Sequence, residues 1–241
     1  MWTRESLKTE AKATMKTCFG SSILVSLITG FVGGLGSGGS SSNIRFEHLT
    51  VAEITALLMV MLGAAVITIL IQIFIGNLIT VGSSHFFLST RVKQSGVELI
   101  TFPFKQGRYG NVLKVTFMMN LFIFLWSLLF VIPGIYKSYQ YRMVPYLLAE
   151  NPEMDYKRAL ELSAAMMDGE KLNAFVLDLS FLGWILLSIP TCMILAIVYV
   201  SPYIYHTNAG LYIALREKAV NSGLVNPAEL YAVVNPVPGQ M

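Results

Sequence analysis

Two stretches of 37 residues, 54–90 and 179–215, contain no Asp, Glu, Lys or Arg. Read as helix at about 1.5 Å per residue, either measures roughly 55 Å, well past the ~30 Å of hydrocarbon in a bilayer. Shorter apolar runs follow residues 16 and 111. Backbone polar groups cannot stay unpaired in lipid, so each crossing segment is expected to be a helix. The pattern predicts spans near 17–35, 54–79, 112–132, 134–149, 172–189 and 191–215. The fold class is therefore all-α: a polytopic transmembrane helix bundle of about six spans, with amphipathic helices on the cytoplasmic face. Residues 1–220 are expected to form one transmembrane domain and 221–241 a cytoplasmic tail.

Turn residues punctuate this layout. A Gly/Ser-rich loop at 36–42 separates the first two spans, and Pro133-Gly134 is expected to reverse the chain after the third. Pro190 separates the fifth span from the sixth. The second helix is too long for one crossing, so residues 81–90 are expected either to extend past the inner surface or to bend along it near Gly76 or Gly82. Asn151-Pro152, followed by Glu153 and Asp155, reads as a helix start, and Gly169 as its end. Three times a basic segment leads into an apolar span, at 8–20, 104–114 and 156–173, a loose repeat.

Charge sets the orientation. Segments 1–16, 91–114, 154–171 and 216–241 hold 14 of the 17 Lys and Arg residues. Basic residues concentrate on the cytoplasmic side, so both termini are expected there and the opposite loops are short. The basic 1–16 segment before an apolar run imitates a secretory signal, but its length and helical pattern favour a retained first span.

Composition agrees with this picture: 54% hydrophobic, 13% charged and a net charge of +3, with a mean hydropathy of +0.61. No basic face on a soluble module suggests nucleic acid. Cys18 and Cys192 both lie in apolar surroundings and read as packing residues rather than a disulfide. His48, His85 and His206 are too scattered for a metal site. Gly34-x-Gly36-x-x-Gly39 matches a dinucleotide fingerprint in letters only, because no strand precedes it. No cofactor is expected.

The central stretch is more specific. Ile132-Pro133-Gly134-Ile135, then Lys137, Tyr139, Tyr141, Met143 and Pro145-Tyr146, leads into Leu148-Ala149-Glu150-Asn151-Pro152. Ala159, Ser163, Met167, Gly169, Lys171 and Phe175 follow, then Asp178 through Trp184. This closely resembles a bacterial membrane-protein family catalogued as a domain of unknown function (number 975). A more distant similarity is to the membrane region attached to some glycerophosphodiester phosphodiesterases, which does not carry their catalytic residues. The resemblance implies a multi-span protein of the bacterial cytoplasmic membrane, with no activity or site residue to carry over.

The candidate chemistry centres on Arg142 and Asp178. Counted from Glu150 and Lys171, both lie about 10–12 Å below the cytoplasmic surface at helical rise. An unpaired charge at a helix centre costs roughly 2.5–3.5 kcal/mol, so the two are expected to face each other across the bundle. Such a pair either lines a polar cavity or simply fixes helix packing. Tyr139, Tyr146, Asn120, His206 and Asn208 are expected to join the same layer. Gln72 and Asn77 read as interhelical hydrogen-bonding residues. Lys93, Lys105, Arg108 and Lys114, interleaved with Phe102, Phe104 and Tyr109, could touch anionic lipid or merely set topology.

The expected function is non-enzymatic transport or binding of a small amphipathic or lipid-like ligand. An accessory or scaffold subunit of another membrane complex is the alternative, and a lipid-modifying membrane enzyme the second. The expected partners are the bilayer, an amphiphile or lipid, and another membrane protein, but not nucleic acid.

Overall fold

The structure, a computed structural model, describes residues 2–34, 50–92, 96–104, 109–191 and 194–230. Helices occupy almost all of it, and no strand occurs among the described residues. In chain order the helices are α1 (Arg4–Thr17), α2 (Phe19–Gly34), α3 (Val51–Ile71), α4 (Asn77–Ser89), α5 (Tyr109–Leu129) and α6 (Val131–Gln140). They continue as α7 (Val144–Glu150), α8 (Tyr156–Met166), α9 (Lys171–Leu179), α10 (Leu182–Ser188) and α11 (Ser201–Asn221). The Gly/Ser loop, Arg45, His48, Lys93, Lys105, Arg108, Cys192 and the last residues of the expected tail lie outside the described residues.

Among the described residues three helical stretches are long and apolar enough to cross a membrane: Ile54–Ser89, Tyr109–Leu129 and Lys171–Ser188. Phe19–Gly30 is a shorter apolar helix. Of the six expected crossings, the second, third and fifth correspond to the three long stretches, and the fourth is divided into α6 and α7.

Surface polarity separates the molecule into two parts. In one, Leu62 is 69% exposed, Leu128 76% and Ile132 80%. Water cannot solvate so continuous an apolar surface, which marks the part that meets lipid. In the other, Phe86, Phe87, Leu147, Leu148, Leu162 and Tyr212 are buried in one continuous core. Helix α1 supplies Leu7, Ala11 and Met15 to this core, spaced four apart on one face. Thr3 caps α1 reciprocally with Ser6.

The long second helix runs continuously from Ile54 to Ser89 and changes its hydrogen-bond pattern at one of the expected glycines. A π-turn at Gln72–Gly76 joins α3 to α4, and the Gln72 side chain lies against Gly76. Gly82 has a different role. A Cβ there would collide with the Ile100 carbonyl, so the glycine lets the Val97–Phe104 turn lie directly on α4.

Elsewhere the turns fall at other residues than expected. The chain reverses at Phe130, which is extended (φ −156°, ψ 146°), and Pro133 and Gly134 sit inside the first turns of α6. Pro is tolerated there because the first amides of a helix have no intrahelical acceptor. Gly134 serves the packing of α6 on α5, since a Cβ would come within 2.8 Å of Ser127 Cα. Helix α8 starts at the Asp155 cap, which accepts a hydrogen bond from the Lys157 amide, and not at Asn151-Pro152. Asn151 instead ends α7. Gly169 lies in the turn after α8 with φ +73°, a conformation glycine adopts freely.

The expected fourth span, 134–149, is not one helix. Pro145 lacks an amide proton and its ring opposes the carbonyl four residues earlier, at Tyr141, so α6 ends at Gln140 and α7 begins at Val144. Ser163 on α8 closes this break. Its hydroxyl accepts from the Met143 amide at 3.2 Å and donates to the Gln140 carbonyl at 2.9 Å. The interruption places residue 142 at a helix junction, where its side chain can leave the axis of either helix.

Candidate functional site

Arg142 leaves the α6–α7 junction and reaches α9 and α11. Its Nη1 donates to Asp178 Oδ2 at 2.6 Å and its Nη2 to Asp178 Oδ1 at 2.7 Å. The pair is thus bidentate, the geometry in which a guanidinium fork matches a carboxylate best. Nη2 also donates to Asn208 Oδ1 at 2.8 Å, and the Tyr139 hydroxyl donates to Asp178 Oδ2 at 2.8 Å. Arg142 and Asp178 do face each other, as their cost in lipid requires.

The cluster ties three elements together where the compact core gives way to exposed apolar helices. Tyr139 also packs edge-on against Phe175, and its ring faces the Arg142 guanidinium at 5.5 Å. The side chain of Asp178 is 35% exposed and that of Arg142 17%. The carboxylate therefore keeps an open edge while accepting from three donors.

The other residues expected in this layer are placed elsewhere. Asn120 on α5 donates to Asn77 Oδ1 at 2.9 Å, a link between α5 and α4. Asn77 thus makes the interhelical bond expected of it, whereas Gln72 Oε1 has no partner among the described residues. Tyr146 is buried and stacks on Tyr212, ring centres 5.3 Å apart, in the α7–α11 core. His206 is buried in a third place. Its Nε2 lies 2.9 Å from Ser22 Oγ, and its ring meets Phe87 edge-on. The single expected layer is four separate contacts, of which Arg142, Asp178, Tyr139 and Asn208 form one.

Of the ion pairs that the sequence did not indicate, two tie distant segments together bidentately or in full burial. Glu150 Oε2 accepts from Tyr212 Oη and Arg216 Nε, both at 2.9 Å, and the carboxylate side chain is fully buried. Burial raises the Glu150 pKa, and Arg216 and Tyr212 pull it partly back. Arg158 grips Glu229 with Nε–Oε1 at 2.7 Å and Nη2–Oε2 at 2.9 Å. The hydrogen bonds from Arg158 hold Glu229 below the usual carboxylate range. Together with Asn151 donating to the Glu229 carbonyl, they dock residues 224–230 on α8. Glu150 and Arg216 each stand as a lone charge at the edge of an apolar run, whereas Arg158 lies among other charges on α8 and has no such signal.

Two hollows flank α1. A groove of ≈ 820 Å³ runs between α1 and α11, bordered by Leu7, Glu10, Arg91, Gly210 and Glu217. Arg91 crosses it, donating to Glu10 Oε2 and to the His206 carbonyl, each at 3.0 Å. The second hollow, ≈ 400 Å³, lies among Lys12, Met15, Lys16, Phe19 and Tyr199. Cys18 is buried, with Sγ donating to the Thr14 carbonyl. Among the described residues no three His, Cys, Asp or Glu side chains are placed to share a metal ion.

Fold and cluster define an all-helical membrane protein in which an Arg–Asp clamp ties the α6–α7 junction to the apolar stretch Lys171–Ser188. Within it, residues 128–219 match the model of the family described as Protein of unknown function (DUF975). That region starts beside the Phe130 reversal, ends in α11 and contains the whole Arg142–Asp178–Asn208 cluster. The resemblance drawn from residues 132–184 holds in this comparison. No curated protein and no solved structure matches the chain. The more distant likeness to the membrane region of glycerophosphodiester phosphodiesterases has no counterpart in these comparisons.

Proposed function

We propose that this is a multi-span protein of the bacterial cytoplasmic membrane, with both termini cytoplasmic, that binds a small amphipathic or lipid-like ligand without chemically altering it. The observation that carries the reading is the position of the Arg142–Asp178 cluster. It sits at the seam between exposed apolar helices and a packed polar-edged core, with Asp178 a third open. A ligand with one polar end and one apolar body fits such a seam. Its polar group meets Asp178, Tyr139 and Asn208 while its apolar part remains among α9, α10 and lipid.

The test is lipid and amphiphile extraction from the purified full chain, followed by mass spectrometry. The reading expects a co-purifying amphiphile that Asp178→Asn releases while the melting temperature in detergent stays high enough for purification. Equal amphiphile content in both proteins contradicts it.

A scaffold role is the second reading, and α3 favours it. Leu58 through Leu62 are all more than half exposed, leaving an apolar face available to another membrane protein as readily as to lipid. Cross-linking from residue 59 in native membranes separates the two, because a scaffold gives a discrete protein adduct.

A further inference from the structure

Arg4, Lys8, Lys12 and Lys16 recur every four residues along α1. At this spacing they make one slowly winding stripe beside the buried seam of Leu7, Ala11 and Met15. Lys8 is half-buried against the core, whereas Arg4, Lys12 and Lys16 are exposed. Lys8 Nζ donates to the Ser180 carbonyl at 3.2 Å and lies 4.4 Å from the centre of the Phe181 ring. Lys12 Nζ lies 5.6 Å from the centre of the Tyr203 ring. Among the described residues no ion pair involves Lys8, Lys12 or Lys16, although six other pairs form.

The ≈ 400 Å³ hollow opens between Lys12 and Lys16 and is otherwise walled by Met15, Phe19 and Tyr199. Phe19 is the first residue of the apolar α2 and is itself exposed. The hollow therefore combines two unpaired cations with three apolar walls at the point where the basic helix passes into the membrane. A small hydrophilic anion would satisfy the cations but leave the walls wet, and a neutral amphiphile would do the reverse. A phosphate carrying an acyl chain answers both demands, and the bilayer around the chain supplies it.

We infer that this hollow is a binding site for an anionic phospholipid of the cytoplasmic leaflet. The phosphate lies between the Lys12 and Lys16 ammonium groups, and the first acyl carbons lie along Met15, Phe19 and Tyr199. Lys8, engaged by Ser180 and Phe181, holds α1 in place rather than gripping lipid. The inference rests on the cytoplasmic-membrane placement proposed above, but not on a ligand at Arg142–Asp178.

The experiment is native mass spectrometry of the full chain equilibrated with mixed phosphatidylglycerol and phosphatidylcholine. Wild type retains phosphatidylglycerol preferentially. Each lysine near an anionic lipid surface contributes about fivefold, so Lys12→Gln with Lys16→Gln lowers that preference about 25-fold. Lys12→Arg with Lys16→Arg keeps it, which separates lost charge from lost folding, and Arg4→Gln at the far end of the stripe changes it little. Inorganic phosphate at matched ionic strength leaves retention unchanged if lipid is the occupant. Displacement by phosphate, an unchanged preference in the Gln pair, or equal losses in the Gln pair and Arg4→Gln each overturn the inference. Because Asp178→Asn leaves the hollow intact, lost amphiphile there with preserved phosphatidylglycerol preference separates failure of one reading from failure of the other.

Discussion

Arg142 and Asp178 are joined by two parallel hydrogen bonds of 2.6 and 2.7 Å, and they come from segments 36 residues apart in the chain. The pair locks the α6–α7 junction to α9, and Asn208 extends the lock to α11. Removing one partner leaves the other charge where solvation is poor. Arg142→Leu or Asp178→Leu alone is expected to cost about 3 kcal/mol, the low end for a buried pair because Asp178 is partly open. Replacing both by Leu should recover most of that loss. Thermal melts of the three variants in one detergent check it, and additive losses in the double variant would refute the clamp.

Ser163 performs a similar service for the backbone. Substitution by Ala leaves the buried Met143 amide and the half-buried Gln140 carbonyl without their Ser163 partner. Orphaning buried polar groups costs about 1–3 kcal/mol, and Ser163→Ala should do so while Ser163→Thr costs less if its methyl fits. Faster amide hydrogen exchange at 140–143 in the Ala variant is the accompanying signature.

The Arg158–Glu229 pair gives a pH dependence. Its hydrogen bonds lower the Glu229 pKa on folding. A depressed carboxylate contributes stability that is whole above its unfolded value and is lost as the pH falls through the lower folded value. Docking of residues 224–230 should therefore loosen on acidification below the ordinary carboxylate range and stay constant above it. Hydrogen exchange of that segment measured across the acid range tests this, and Arg158→Gln should flatten the part of the dependence due to Glu229. Both side chains retain substantial exposure, so the effect is local rather than global.

The sequence carried the solvent and the clamp for the same reason. Uncharged runs of 37 residues have no place in water, and two isolated charges inside such surroundings must find each other. It carried depth along a helix but not direction around it. His206 and Asn208 are two residues apart, about 200° around an α-helix, so similar depth placed them together while their side chains diverge to Ser22 and Arg142. The same count draws Asn120 into the layer, although its side chain meets Asn77 on α4 instead. Glu150 and Arg216 stand at the ends of apolar runs, where a charge normally reads as solvated. Only the packing of α7 on α11 buries them as a pair. The break before Val144 was hidden because Tyr136, Tyr139, Arg142 and Tyr146 keep helical spacing straight across it.

Hydrocarbon surrounds the exposed apolar helices in this arrangement, and water surrounds the compact core. Spin labels at residues 62, 128 and 186, with a fourth at 161 on α8, in the reconstituted full chain measure this by electron paramagnetic resonance. The account predicts that molecular oxygen relaxes the first three labels strongly and a water-soluble nickel chelate hardly at all, with the reverse at 161. Strong relaxation by the nickel chelate at 62, 128 and 186 would contradict it.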